Sequence, residues 1–484
     1  MLFNSNAFYV FLPLVFALYW MIPARRRWIV LLVSSYYFYM SWNVKYVALI
    51  LLTTAVSYGT ALLMEGTESR KKKKCYMAAA LVISLGILFF FKYFNFLSNS
   101  VTDVLEKFSI PVHRVTLDLL LPVGISFYTF QTLSYVIDVY RGEEKACRHF
   151  GKYATFIAFF PQLVAGPIER TRNLLPQIER EHRFDCEKAL YGAKMIAWGF
   201  FKKVAIADTI APYVDVIYND VGHYTGLPLL MATGLFTFQI YCDFSGYSDI
   251  AVGVAKLLDM DLMDNFKSPY FAASIREFWN RWHISLSTWF RDYVYIPLGG
   301  NRKGAWRTRF NLIATFLCSG LWHGANWTYV VWGMIHGVGQ AAEKEWEHHF
   351  PSKEKKRPWG RVLFTFLFVC FAWIFFRANS LSDAGYVLCH IFDGITNPLG
   401  YLRDGYQAYR TAGVAQSSNM QTLLICGACI LALLFHDFVE LRTSIWEWMG
   451  RYRKPVRYAV YFVLLFMVLY SRQPGEYEFV YFQF

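Results

Sequence analysis

Residues Phe8–Ile22, FYVFLPLVFALYWMI, carry no charge, and Arg25, Arg26 and Arg27 come only after them. A cleaved leader puts its cations before its apolar core, so this order predicts a retained first span with its N-terminus outside. The same reading extends outward to apolar stretches at about 28–40, 46–64, 76–96 and 119–140. If each stretch crosses once, Arg25–Arg27 and Arg70–Lys74 fall on one side, and the loops 41–45 and 97–118 fall on the other. The basic side is then cytoplasmic, with the loop 141–152 returning to it.

Composition agrees with a chain whose main solvent is not water. Of 484 residues, 56% are hydrophobic, 19% aromatic and 17% charged, against roughly 25% charged in a soluble domain. A soluble multidomain enzyme is excluded on that ground. The 48 Lys and Arg against 35 Asp and Glu give +13, but the cations sit in short loops beside apolar spans and imply no nucleic-acid partner. The nine cysteines are scattered, mostly within apolar stretches, so free thiols are expected. Cys426 and Cys429 fall inside the apolar run Leu423–Phe435, where packing is the natural reading of the CxxC.

Further along, Tyr153–Gly166 contains Phe159-Phe160-Pro161 and ends at Gly166-Pro167, too short and interrupted for a crossing. A re-entrant segment lining a cavity is expected there. Spans at about 189–216 and 229–256 follow, with the acidic turn 217–224 outside and the basic stretch 257–309 inside. Arg276–Arg309 interleaves Arg276, Arg281, Arg291, Arg302, Lys303, Arg307 and Arg309 with Phe278, Trp279, Trp282, Trp289 and Phe290. It reads as an amphipathic interfacial helix, or as a basic mouth for an anionic cytosolic donor such as a coenzyme A thioester. Residues 310–340 lie between basic cytoplasmic segments, the second being Lys353–Arg361, so they must enter and leave on one side as a hairpin or broken helix. Spans at about 361–376, 421–440 and 457–471 bracket an external loop 378–420 and a cytoplasmic cluster at 451–457, and the tail 472–484 ends outside. The expected architecture is an all-α polytopic membrane protein of about 11–12 transmembrane helices with re-entrant and amphipathic cytoplasmic additions, forming one domain over 1–484.

The hairpin's weak point, Gly320, Gly324 and Asn326, contains His323. An ionisable group inside a membrane is costly and usually faces a cavity, and a neutral imidazole there can act as a general base. His283 is the second candidate, at the end of the amphipathic stretch. His336, thirteen residues past His323, would be rotated by roughly 220° on a regular helix, so the two form no metal pair. No zinc-like spacing, GxGxxG, P-loop or GxSxG is present. Asp243 and Asp249 interrupt the run 229–256, either as hydrogen-bonding glue between helices or as polar lining of a substrate path.

Four motifs in this order, Phe159–Ile168 (FFPQLVAGPI), Asp243–Asp249, Arg276–His283 (REFWNRWH) and Leu321–Gly324 (LWHG), resemble the membrane-bound O-acyltransferase superfamily over essentially the whole chain. The likeness is greatest to its bacterial polysaccharide branch, which contains the alginate and peptidoglycan O-acetylation proteins. That resemblance implies a helical bundle pierced by a central tunnel in the bacterial cytoplasmic membrane. The donor thioester, acetyl-CoA or another acyl thioester, enters from the cytoplasm with no permanently bound cofactor, and a polysaccharide acceptor approaches from outside. It matches His323 to the family's central histidine and His283 to its second. Trp322, Asn326, Asp243, Arg281 and Arg291 are candidates for the substrate path, and the indole N–H of Trp322 or Trp327 for the oxyanion. The small size of the external loops implies an extracytoplasmic partner, which the resemblance identifies as an SGNH-type transferase or esterase. Teichoic acid D-alanyl transfer is the alternative within the family. A proton-coupled carrier is the competing class, and the absence of repeat symmetry counts against it. In the aromatic C-terminus, Tyr481 is either a headgroup anchor or an acyl relay.

Overall fold

The computed structural model describes residues 1–350, 358–412, 420–471 and Phe479, and every regular element among them is helical. Among the described residues, four helical stretches are long and apolar enough to cross a membrane: Val44–Glu65, Arg70–Lys107, Leu227–Leu257 and Trp359–Arg377. The chain is an all-α polytopic membrane protein. All nine cysteines are free thiols, with Cys426 and Cys429 buried in apolar packing.

The described residues separate into two compact units, Met1–Ile196 with Ser248–Met263, and Ala197–Tyr247 with Asp264–Phe484. In the first unit, Asn6–Met21 and Arg27–Met40 form the first antiparallel pair. Arg27 lies under the rings of Tyr19 and Trp20 and donates to the His182 carbonyl at 2.8 Å, so this cation of the first basic loop is tied down internally. Arg70–Leu88 runs through a wide π turn, Phe89–Tyr93, into Phe94–Lys107. Half of the expected loop 97–118 is therefore helix. The next helix, Ile125–Arg141, starts only after Gly124, which turns the chain with φ 74°.

The segment read as re-entrant is two short helices, Phe150–Ala158 and Phe160–Leu163, parted at Phe159. The break follows from Pro161, which has no N–H to give the Ile157 carbonyl and whose ring would crowd it, so Pro161 is accommodated in the first turn of a new helix instead. Phe160 N–H donates to Ser35 Oγ at 3.0 Å instead of to the helix. The Phe156 carbonyl is served by the amides of Gln131 and Gln162 at 2.9 and 2.8 Å. A buried chain break is tolerated because each displaced group finds a side-chain partner.

In the second unit, Gly304–His323 and Trp327–His349 form the predicted hairpin as two long antiparallel helices. They pack closely because a Cβ on Gly320 would collide with the Tyr329 carbonyl and one on Gly333 with the Phe316 carbonyl. Two backbones can approach this closely only through such small residues.

Arg276–Arg309, by contrast, is not one interfacial helix. It breaks into Ile275–Trp279, Ile284–Phe290 and a π turn Arg291–Tyr295, before Gly304 opens the hairpin. Phe278, Trp279, Trp282, Trp289 and Phe290 are all buried. Lipid would shield these rings from water equally well, so the inward fold is held by close ring packing, as where Trp279 meets Phe316 and Trp332 at 5.2 and 5.6 Å. The loop expected at 378–420 contains two further helices, Leu381–His390 and Pro398–Ala412.

Candidate active site

His323 is the last residue of Gly304–His323, where Gly324 ends the helix and Asn326 caps the next one. It is buried, 2% exposed, and its ring meets those of Trp322 and Trp332 at 5.0 Å and Phe376 at 5.4 Å. His283 arrives from the broken segment. Forty residues apart in sequence, the two imidazoles lie 6.4 Å apart between ring centres, with Trp322 5.8 Å from His283 and 5.0 Å from His323. Phe244 closes against His283 edge-on at 4.5 Å. The result is an aromatic chamber containing two histidines and an indole, low in dielectric and able to strengthen any hydrogen bond formed inside it.

His283 adopts a left-handed backbone, φ 44° and ψ 53°, which costs a residue with a Cβ about 1–2 kcal/mol. That conformation turns the chain between Ile275–Trp279 and Ile284–Phe290 and aims the ring inward. His336, the third histidine in the region, lies on the second helix of the hairpin rather than on a continuation of the first. Trp332 stands between it and His323, at 4.9 and 5.0 Å from the two rings. Trp279 Nε1, which can only donate, reaches His336 Nδ1 at 3.2 Å, so His336 is employed in packing the hairpin.

The other sequence candidates separate by location. Trp322 is in the chamber, whereas Trp327 is 52% exposed at the start of the second helix. Asn326 caps that helix through Thr328 N at 3.1 Å and donates to the Asn379 carbonyl at 3.0 Å, so its amide is occupied by the turn. Asp243 accepts Lys203 Nζ at 2.6 Å, and the same ammonium reaches Asp208 at 2.8 Å. The triad is buried and joins the helix carrying Asp243 to the segment carrying Lys203 and Asp208. Arg281 is held by Glu277 at 2.8 Å and by the Lys267 carbonyl at 3.1 Å. Arg291, paired with Asp292 at 2.8 Å, lines a cavity of about 540 Å³ with Arg276, Lys344, Glu343, Glu347, Asn280 and Gln340, and Trp279 and Phe316 form its apolar wall. Sequence reading missed Lys344 and Gln340. Their signal was weak, four residues apart on the distal part of the second hairpin helix and distant from the motifs. Tyr481 lies outside the described residues.

A family model described as MBOAT, membrane-bound O-acyltransferase family, matches residues 147–382, a range that includes both chamber histidines. A probable alginate O-acetylase of Azotobacter vinelandii is 43% identical over 388 residues, 79% of this chain and 76% of the relative. A peptidoglycan O-acetyltransferase of Helicobacter pylori is 33% identical over 88% of each chain. A teichoic acid D-alanyltransferase of Bacillus subtilis is 29% identical over 62% of this chain and 77% of its own. Motif order, helical membrane architecture and identity over most of the length converge: the chain is an acyltransferase and belongs to the membrane-bound O-acyltransferase family.

Proposed function

We propose that the whole chain works as one transferase in a bacterial cytoplasmic membrane, moving an acetyl group from cytosolic acetyl-CoA towards an extracellular or cell-wall polysaccharide, with His323 as general base. The observation that carries this reading is the meeting of His323, His283 and Trp322 in one buried chamber. A thioester is already activated, so the protein's task is to deprotonate a hydroxyl and hold it against the carbonyl carbon. His323 takes the hydroxyl proton as the C–O bond forms. The tetrahedral oxyanion needs a preorganised donor, and the Trp322 indole N–H is the candidate we assign to it. Collapse breaks the C–S bond, and the departing thiolate recovers the proton from the His323 imidazolium.

Acetyl rather than D-alanyl transfer is favoured by the higher identity to a probable alginate O-acetylase, 43% against 29%. In this cavity Arg276, Arg291 and Lys344, set beside Glu343 and Glu347, are the groups that would meet the phosphates of a coenzyme A donor arriving from the basic, cytoplasmic side. The final acceptor is reached through an SGNH-type partner outside the membrane.

The test is His323→Ala in purified protein, followed by thiol release from acetyl-CoA and acetyl transfer to the partner. Loss of a general base costs about 10²–10⁴-fold, and the variant should still insert and unfold like the parent. Transfer at the parental rate would show that the base is another residue.

A further inference from the structure

Asn265 lies in the loop that leads to the broken segment, 2% exposed. Its side-chain oxygen is approached by three groups: Ser285 N at 3.2 Å, Ser285 Oγ at 2.9 Å and His283 Nδ1 at 3.2 Å. Its main-chain oxygen accepts Ile284 N at 3.0 Å. One residue therefore serves the first free N–H groups of the Ile284–Phe290 helix across the chain, where a side chain at position 283 would ordinarily do so. This bracing from outside lets His283 keep its left-handed backbone and its ring in the chamber.

The donor–acceptor arithmetic fixes more than position. A backbone N–H can only donate, so the Asn265 atom facing Ser285 N is the oxygen and not the amide nitrogen. An oxygen already accepting from Ser285 requires His283 Nδ1 to be a donor as well. The neutral imidazole is then protonated at Nδ1, and its lone pair is on Nε2, across the ring from Asn265. His336, held by Trp279 Nε1, is the opposite tautomer.

We propose that Asn265 is the positioning residue for His283. It holds the ring as the Nδ1–H tautomer, so that Nε2 is the basic nitrogen available to a hydroxyl, thiol or water in the chamber shared with Trp322 and His323. When Nε2 takes a proton, the imidazolium keeps its Nδ1–H bond to Asn265 and no group has to turn. A carboxylate in that place would hold the proton more strongly, whereas a neutral amide orients the ring and leaves proton return easy. The role of His283 as a chamber base rests on the proposed function above, whereas its tautomer does not.

Two measurements test the assignment. In parent protein labelled with ¹⁵N-histidine and embedded in lipid, the His283 signal, assigned by its loss in His283→Gln, should show a protonated Nδ1 and an unprotonated Nε2. In acyl-transfer assays, Asn265→Leu should lower kcat about 10–100-fold with donor KM within about twofold of the parent. Asn265→Asp, which keeps an acceptor oxygen, should recover at least half of that loss on a logarithmic scale. A His283 signal with Nε2 protonated would overturn the proposal, as would Asn265→Leu retaining parental kcat. If Asn265→Leu fails to fold, the parent spectrum decides alone. If the parent transfers no acyl group, the proposed function fails while the tautomer measurement still stands.

Discussion

At the scale of single residues, His323 was legible because a membrane segment punishes an ionisable side chain that has no task, and because glycines beside it mark a break. His283 was legible as a second candidate from its place in the amphipathic stretch, but its setting was not. Its left-handed backbone and its bond to Asn265 depend on a loop 18 residues upstream, a pairing with no local spacing to betray it. The arginines show the same limit. Arg281 and Arg291 look equivalent in sequence and each meets a carboxylate at 2.8 Å, Glu277 and Asp292, yet only Arg291 of the two lines the cavity with Arg276. Arg276 and Arg291 are both exposed, so their effect on a polyanionic donor is steering and contact rather than buried pairing. Arg276→Glu combined with Arg291→Glu should raise the KM for acetyl-CoA about tenfold at low salt, and the gap should shrink near about 0.5 M salt. kcat should hold within about twofold. An unchanged KM at low salt would remove the donor from this cavity.

At the scale of elements, the long apolar spans and the hairpin could be read from periodic hydrophobicity and loop charge. The fate of 276–309 could not, because aromatic and basic residues interleave equally well on an interfacial helix and on a segment folded inward. What decides is tertiary burial, seen when Trp282 and Trp373 rings meet at 5.1 Å. Asp243 poses a similar question, and stability separates its two roles. Asp243→Ala takes one carboxylate from the buried Lys203, which keeps Asp208 at 2.8 Å, and should cost about 1–3 kcal/mol. Thermal unfolding in detergent should shift down while kcat per folded molecule stays near the parent. A large kcat loss without a shift would restore Asp243 to the substrate path. In the first unit, Asp259 joins His182 at 2.9 Å to Lys188 at 2.8 Å, and Asp261 joins Lys188 at 2.8 Å to Lys256 at 3.0 Å. Burial pushes both carboxyls up, but these hydrogen bonds and cations outweigh it and hold them below the usual range. A lowered folded pKa means the contribution is complete above the unfolded value, about 3.9. It is lost as pH falls through the lower folded value. Unfolding temperature should therefore drop between about pH 4 and pH 2 by less in Asp259→Asn than in the parent. Equal drops would show that the cluster contributes nothing to acid stability.

For the whole molecule, the open matter is how an acyl group leaves the chamber, and the C-terminus bears on it. Phe479 is 1% exposed, packed at 5.6 Å from Phe244 and 5.2 Å from Tyr247, and Phe244 is the ring that closes on His283. Tyr481 itself lies outside the described residues, and its sequence reading is either an anchor at headgroup level or an acyl relay. In a relay, the Tyr481 phenol gives its proton to His323 and its oxygen attacks the thioester carbonyl, releasing the thiol. The phenyl ester formed remains a good donor, because phenoxide, with a pKa near 10, leaves far more readily than an alkoxide. A hydroxyl of the external SGNH-type partner then takes the acyl group and regenerates the phenol. Tyr481→Phe keeps the ring and removes the nucleophile. In vesicles supplied with acetyl-CoA inside and partner plus polymer outside, the parent should acetylate polymer and Tyr481→Phe should not, with insertion and donor binding intact. Leaving out the partner should stop polymer acetylation by the parent as well. Full polymer acetylation by Tyr481→Phe would reduce the residue to an anchor, and full acetylation without the partner would make transfer direct.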